Sequence, residues 1–219
     1  MFDGFCGGFR GQSLLCFGTV TAMKITRHLP KDEIKALPPF AGLTLSQITL
    51  VQDEAGLLAA VAALQAHDVL GFDTESRPTF HKGQKPTGPH LVQLASADHG
   101  WLFPLGEGPM PAPLAALLSR PGLTLAGFDL SSDRAHLKNR FGVTDLNLLD
   151  LGNLFQCEDK RLTIGAVQAV AQLFGQYFRK SKKQSTSNWS LRALSEAQQL
   201  YAANDAWVAW RVWQALQGT

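Results

Sequence analysis

The stretch VLGFDTES, residues 69–76, runs from four apolar or small residues into two acids one position apart, Asp73 and Glu75. The short apolar run fits a buried strand. Side chains alternate along a strand, so Asp73 and Glu75 share a face. Two like charges that close repel, and burial makes at least one hold its proton more tightly. A hard divalent cation such as Mg²⁺ relieves the conflict, because it takes carboxylate oxygens and keeps water and substrate phosphates as its other ligands. Read alone, the stretch also fits an ordinary strand end with two solvated acids. The rest of the chain has to decide.

The chain has 219 residues, 45% of them apolar and 17% charged, the balance of a soluble globular protein. A net charge of +2 is too small to advertise nucleic-acid binding by itself, so any such surface must be a local patch. The three cysteines, Cys6, Cys16 and Cys157, have no zinc-ligand spacing and make no disulfide framework; a reducing, cytoplasmic setting fits them best. No apolar run approaches the ~20 residues of a membrane helix.

Residues 1–44 read as a lead-in and linker. The first 22, rich in Gly and Phe and without a period, are expected to be disordered. Met23 opens a more ordinary protein start, MKITRHLPKDEI, and 30–42 carries Pro30, Pro38, Pro39 and Gly42, as an extended arm packed on the domain would. The domain itself is expected over 45–219. Strands are predicted at 47–51, 69–75, 91–95, 100–103 and 123–128, with a short strand or turn at 146–150. Helices are predicted at 54–66 (capped by Asp53), 112–119, 131–140, 150–157, 163–174 and 196–216. Interleaved strands and helices argue for one α/β domain with a mixed central sheet flanked by helices.

More acids are needed to complete a metal site. Asp129 and Asp133 lie in LAGFDLSSDRAHL, where a strand gives way to a helix, a place that tolerates acids because of the free N–H groups. Ser195 and Gln198 make a capping box for the last helix. On that helix Tyr201 and Asp205 are four apart and share a face. Its second half is apolar nearly all round, hence buried, and a buried Asp needs a partner.

FDTE, GFDLSSD before a helix, and YAAND in that order resemble the three motifs of the DEDD superfamily of 3′–5′ exonucleases. Tyr201, four residues before the last Asp, resembles the mark of the tyrosine subgroup, which includes ribonuclease D and the exonuclease domain of the Werner-syndrome helicase. HLVQLAS and SNWS look similar to the Werner-type branch. The resemblance covers about 45–217 and implies a ribonuclease H-like fold. It implies hydrolysis of phosphodiester bonds from the 3′ end of DNA or RNA, releasing nucleoside 5′-monophosphates. It also implies two divalent cations, Mg²⁺ or Mn²⁺, held by Asp73, Glu75, Asp133 and Asp205, with Tyr201 orienting the attacking water. Asp133 is preferred to Asp129 because the family acid lies in the first turn of the helix. The chain ends with the third motif's helix, so no accessory nucleic-acid-binding domain of the ribonuclease D kind is expected.

A strand led to the metals needs cations along its path. Candidates are Arg77, Lys82 and Lys85 (with His81) after the first motif, and Arg179, Lys180, Lys182 and Lys183 in a basic polar loop predicted at 179–188 before the third. Phe80 is either a base platform or a loop anchor, and Trp189 reads as a core anchor. His90, His99 and His136 stand singly and read as structural. The alternative function on the same fold is a catalytically silent module that binds nucleic acid or a partner.

Overall fold

Val69–Glu75 lies inside a six-stranded sheet, antiparallel to Leu91–Ala95 on one side and parallel to Thr124–Gly127 on the other. The computed structural model describes residues 23–25, 27–79, 87–157 and 163–218. The disorder expected over 1–22, and the site candidates Phe80, His81, Lys82 and Lys85, lie outside the described residues.

In chain order the elements are β1 (Met23–Ile25), α1 (Lys31–Lys35), β2 (Ile48–Leu50), α2 (Glu54–Leu64), β3 (Val69–Glu75), β4 (Leu91–Ala95) and β5 (Gly100–Pro104). They continue with α3 (Ala112–Leu118), β6 (Thr124–Gly127), α4 (Ser131–Phe141), β7 (Leu148–Asp150) and β8 (Phe155–Cys157). The last are α5 (Ala166–Phe174), α6 (Lys182–Ser185) and α7 (Glu196–Gln217). The large sheet runs β2-β5-β4-β3-β6-β7, with β4 antiparallel to both its neighbours and the other pairings parallel. It is a mixed central sheet covered by helices on both faces, the architecture that the sequence resemblance implies.

The alternation of β3 builds a core on each face. Leu70 and Phe72 are buried among residues of α2, α3 and α4, whereas Val69 belongs to the core made with α5 and α7. Gly71 also faces α7. A Cβ there would come within 2.0 Å of the Ala206 carbonyl oxygen, so only glycine lets the helix backbone lie so close to the strand. Ala202, Ala203, Ala206 and Ala209, all buried, keep that contact thin along the helix. Close packing here is what brings a helix-borne acid up to a strand-borne one.

Two regions differ from expectation. The helix predicted at 150–157 is a single 3₁₀ turn, Leu151–Leu154, followed by β8, which pairs in parallel with β1 to make a separate two-stranded sheet. Asp150 accepts from the Gly152 N–H at 3.0 Å, which favours a tight turn over a longer helix. The basic stretch 179–188, read as a loop, contains the short helix α6. The arm before residue 45 packs on the domain. The Leu43 N–H donates to Asn204 Oδ1 on α7 at 2.6 Å, and the Phe40 N–H donates to the Tyr177 carbonyl at 2.9 Å. Among the described residues no helix is long and apolar enough to cross a membrane.

Candidate active site

The C-terminal half of β3 and the first half of α7 supply the centre of the site. Alternation puts Asp73 and Glu75 on the α7 side of the sheet, and the 3.6-residue helical repeat puts Tyr201 and Asp205 one turn apart facing them. The capping box starts that helix: Gln198 N–H donates to Ser195 Oγ at 3.3 Å, and Ser195 N–H donates to Gln198 Oε1 at 3.1 Å. One carboxylate oxygen from each of Asp73, Glu75 and Asp205 lies within 4.8 Å of the others. Asp73 and Glu75 are half-buried, and Asp205 is buried. Asp205 Oδ1 is sequestered from solvent and has no hydrogen-bond partner among the described residues.

Burial, and then the charge of Asp205, pushes the Asp73 carboxyl up to about 8. Burial, and then Asp73 and Asp205, pushes Glu75 up to about 9. Burial also raises Asp205, against the pull of Lys180. Tyr201 presents its hydroxyl to Asp205 and is held well above the usual phenol range by burial and by the acids. Without a cation this cluster retains protons at neutral pH. Asp73, Glu75 and Asp205 could hold a divalent ion, which would exchange for those protons and remove the mutual repulsion. Three hard oxygen donors suit Mg²⁺ or Mn²⁺.

Asp133 sits on the other side of β3. It is buried on the first turn of α4, and the Thr74 hydroxyl donates to its Oδ1. Burial raises its pKa and the Thr74 bond opposes the rise. Thr74 points away from Asp73 and Glu75, so Asp133 flanks the trio at the strand end, near enough that its charge helps to raise both acids. Asp129 instead lines the cavity of about 340 Å³ that Asp73, Lys180 and Asp205 also line. Its φ of 56° lies in the left-handed region, uncommon for a residue other than glycine. The turn into α4 is also held by Asp150, whose Oδ2 accepts from the Leu130 N–H at 3.1 Å. Sequence reasoning missed Asp150, because it comes from a different strand.

The basic candidates divide. Lys180 belongs to the centre, with Nζ 3.1 Å from Asp205 Oδ2. Burial alone would lower its pKa, but Asp205, Asp73 and Glu75 outweigh that and raise it. Arg179 lines a cavity of about 370 Å³ on the Tyr201 side of Asp205. Lys182 and Lys183 are exposed on α6. Arg77 is ion-paired with Glu107 at 3.3 Å, and its N–H donates to His90 Nδ1 at 3.1 Å. Trp189 is fully buried against Tyr201, ring centroids 6.0 Å apart, and is a core anchor.

A family model described as 3′-5′ exonuclease matches residues 48–219, most of the chain and all of these acids. The chain belongs to the 3′-5′ exonuclease family. The human protein named exonuclease mut-7 homolog is 30% identical over 191 residues, covering 71% of this chain and 20% of its own length. The mouse bifunctional 3′-5′ exonuclease/ATP-dependent helicase WRN is 30% identical over 154 residues, covering 68% of this chain and 11% of its own length. This exonuclease domain thus spans a fifth or less of those two relatives. In fold it is similar to Trypanosoma brucei RNase D in complex with GMP, with a TM-score of 0.67 at 20% identity, covering 78% of this chain and 57% of that one.

Proposed function

We propose that this domain hydrolyses the 3′-terminal phosphodiester bond of a DNA or RNA strand and releases nucleoside 5′-monophosphates, as a member of the tyrosine branch of its family. The observation that carries this is the carboxylate trio with its orphaned, buried Asp205 oxygen, in a chain of the exonuclease family. Asp73, Glu75 and Asp205 would hold divalent cations, with Asp133 as the flanking ligand. When bound, two such ions activate the attacking water and stabilise charge on the leaving oxygen.

The chain's own groups do the rest. Tyr201, protonated at any physiological pH, holds and orients the water as a hydrogen-bond donor or acceptor; it is no strong base. Water's oxygen attacks the phosphorus, the bond to the 3′ oxygen of the preceding nucleotide breaks, and that oxygen takes up a proton. Lys180 holds Asp205 through its ammonium, which would be free to meet a phosphate oxygen if that carboxylate held a cation. Arg179, Lys182 and Lys183 extend positive charge away from the site, as a polyanion requires. The trypanosomal RNase D complexed with GMP supports a pocket of this fold that receives a nucleoside monophosphate.

Hydrolysis of an oligonucleotide in ¹⁸O-water tests this. The expected product is a nucleoside 5′-monophosphate carrying one ¹⁸O on its phosphate. A 3′-monophosphate, or endonucleolytic fragments, would contradict it.

A further inference from the structure

Past Lys180 the carboxylate pocket adjoins a second cavity. Val167, Gln168 and Lys180 line both the pocket and this cavity of about 320 Å³, whose other walls are His28, Lys31, Ile34, Lys35, Tyr177 and Phe178. Four of these, His28, Lys31, Ile34 and Lys35, come from the arm that precedes the family-matched residues 48–219.

The arm is fastened to the domain at this place. The Gln168 amide donates to the Leu29 carbonyl at 2.6 Å and its Oε1 accepts from the Leu29 N–H at 3.3 Å, with His28 Nδ1 3.0 Å from Nε2. One turn on, Gln172 donates to the Arg27 carbonyl at 2.8 Å. Ile34 is buried and anchors α1 from below. Gln168 is itself buried, so the groove's wall is set by a satisfied polar clamp and an apolar anchor together.

The groove's chemistry is two-sided. Ile34, Val167, Phe178 and the ring of Tyr177 give it an apolar floor, and Lys31, Lys35 and Lys180 give it a cationic rim. Glu33 is taken up by Arg27, and Lys35 reaches Asp32 only at 3.7 Å across exposed surface. Lys31 has no ion pair among the described residues. An apolar floor accepts the face of a base, a cationic rim accepts the phosphates beside it, and the volume is at the small end of ligand sites.

We infer that this groove is a nucleotide subsite, in which a nucleotide of the bound strand lays its base against the ring of Tyr177 while Lys31 and Lys35 contact the adjoining phosphates. The inference rests on the nuclease reading, because the groove adjoins the carboxylate pocket and shares Val167, Gln168 and Lys180 with it. It adds that the N-terminal arm is part of the substrate grip.

The test is fluorescence anisotropy with a short single-stranded oligonucleotide carrying 5′-fluorescein, in EDTA, across a range of salt. In the Lys31→Glu/Lys35→Glu double variant, both positions being exposed, affinity is expected to fall roughly tenfold or more and the salt slope by about two. Tyr177→Ala is expected to weaken binding with the salt slope unchanged, as loss of stacking does. Lys138→Glu, the same charge change on α4, is expected to bind as the parent does. Parental affinity and slope in the double variant and in Tyr177→Ala overturn the inference, as does an equal loss in Lys138→Glu. If the parent shortens the oligonucleotide once Mn²⁺ replaces EDTA and the groove variants match its binding in EDTA, the groove alone is wrong. If the parent neither binds it in EDTA nor shortens it in Mn²⁺, the nuclease reading falls and the groove with it.

Discussion

Lys180 Nζ stands 3.1 Å from Asp205 Oδ2, with Asp205 almost wholly buried and the ammonium partly open to solvent. This internal cation partly offsets the carboxylate cluster, and it shares the carboxylate that a metal needs. Lys180→Met leaves Asp205 without its partner. Losing one member of a buried pair costs about 3–5 kcal/mol, and solvent at the ammonium reduces this to about 2 kcal/mol here. Thermal unfolding should show that loss in EDTA and recover most of it in saturating Mn²⁺. Equal losses with and without metal would mean that the lysine and the ion do not share the site.

Metal-free stability should depend on pH with a definite sign. Asp73 and Glu75 titrate at about 8 and about 9 in the folded protein and near 4 in the unfolded chain. Folding therefore takes up protons. The contribution of these groups is fully present below about pH 4 and is lost as pH rises through the folded values. The melting temperature in EDTA should fall between pH 5 and 9, and saturating Mg²⁺ or Mn²⁺ should remove most of the slope. Asp73→Asn should flatten the EDTA curve; an unchanged slope in that variant would assign the dependence elsewhere.

Gly71→Ala tests the packing that sets the site. The new methyl meets the Ala206 carbonyl oxygen, and Asp205 is the residue before it. Pushing α7 off β3 should cost about 1–3 kcal/mol in urea unfolding and should remove nearly all hydrolysis, because Asp205 moves with the helix. A variant that is destabilised but keeps parental turnover would show that the helix position is not critical to the site.

Thr74→Val keeps shape and removes the hydroxyl that donates to Asp133. Losing that bond should cost about 1–2 kcal/mol of transition-state stabilisation, roughly a tenfold drop in kcat, with little change in KM. Unchanged kcat would remove Asp133, at least as held by Thr74, from the working site.

Much of the fold was legible because it rests on local signals. The run VLGFDTE forms the predicted strand residue for residue, and alternation places its two acids on one face. The Ser195 box starts α7, and the four-residue step puts Tyr201 and Asp205 together. Other features depend on distant partners. The β1–β8 pairing joins two three-residue strands far apart in sequence, too short to show a period. Lys180 reads as one charge in a basic loop, and only the fold carries it to Asp205. Asp129 and Asp133 compete in sequence as alternatives, whereas the turn between them sends one to the cavity and the other to Thr74.

The central claim, that the trio of Asp73, Glu75 and Asp205 performs metal-dependent hydrolysis from a 3′ end, is tested most directly with 5′-labelled single-stranded DNA and RNA. The parent is incubated in Mg²⁺ or Mn²⁺, beside Asp73→Asn and Asp205→Asn. A ladder shortening from the 3′ end, abolished in both variants and by EDTA, is the predicted result. Oligonucleotides left intact by the parent under every metal, or a ladder that survives Asp73→Asn and Asp205→Asn, would contradict it.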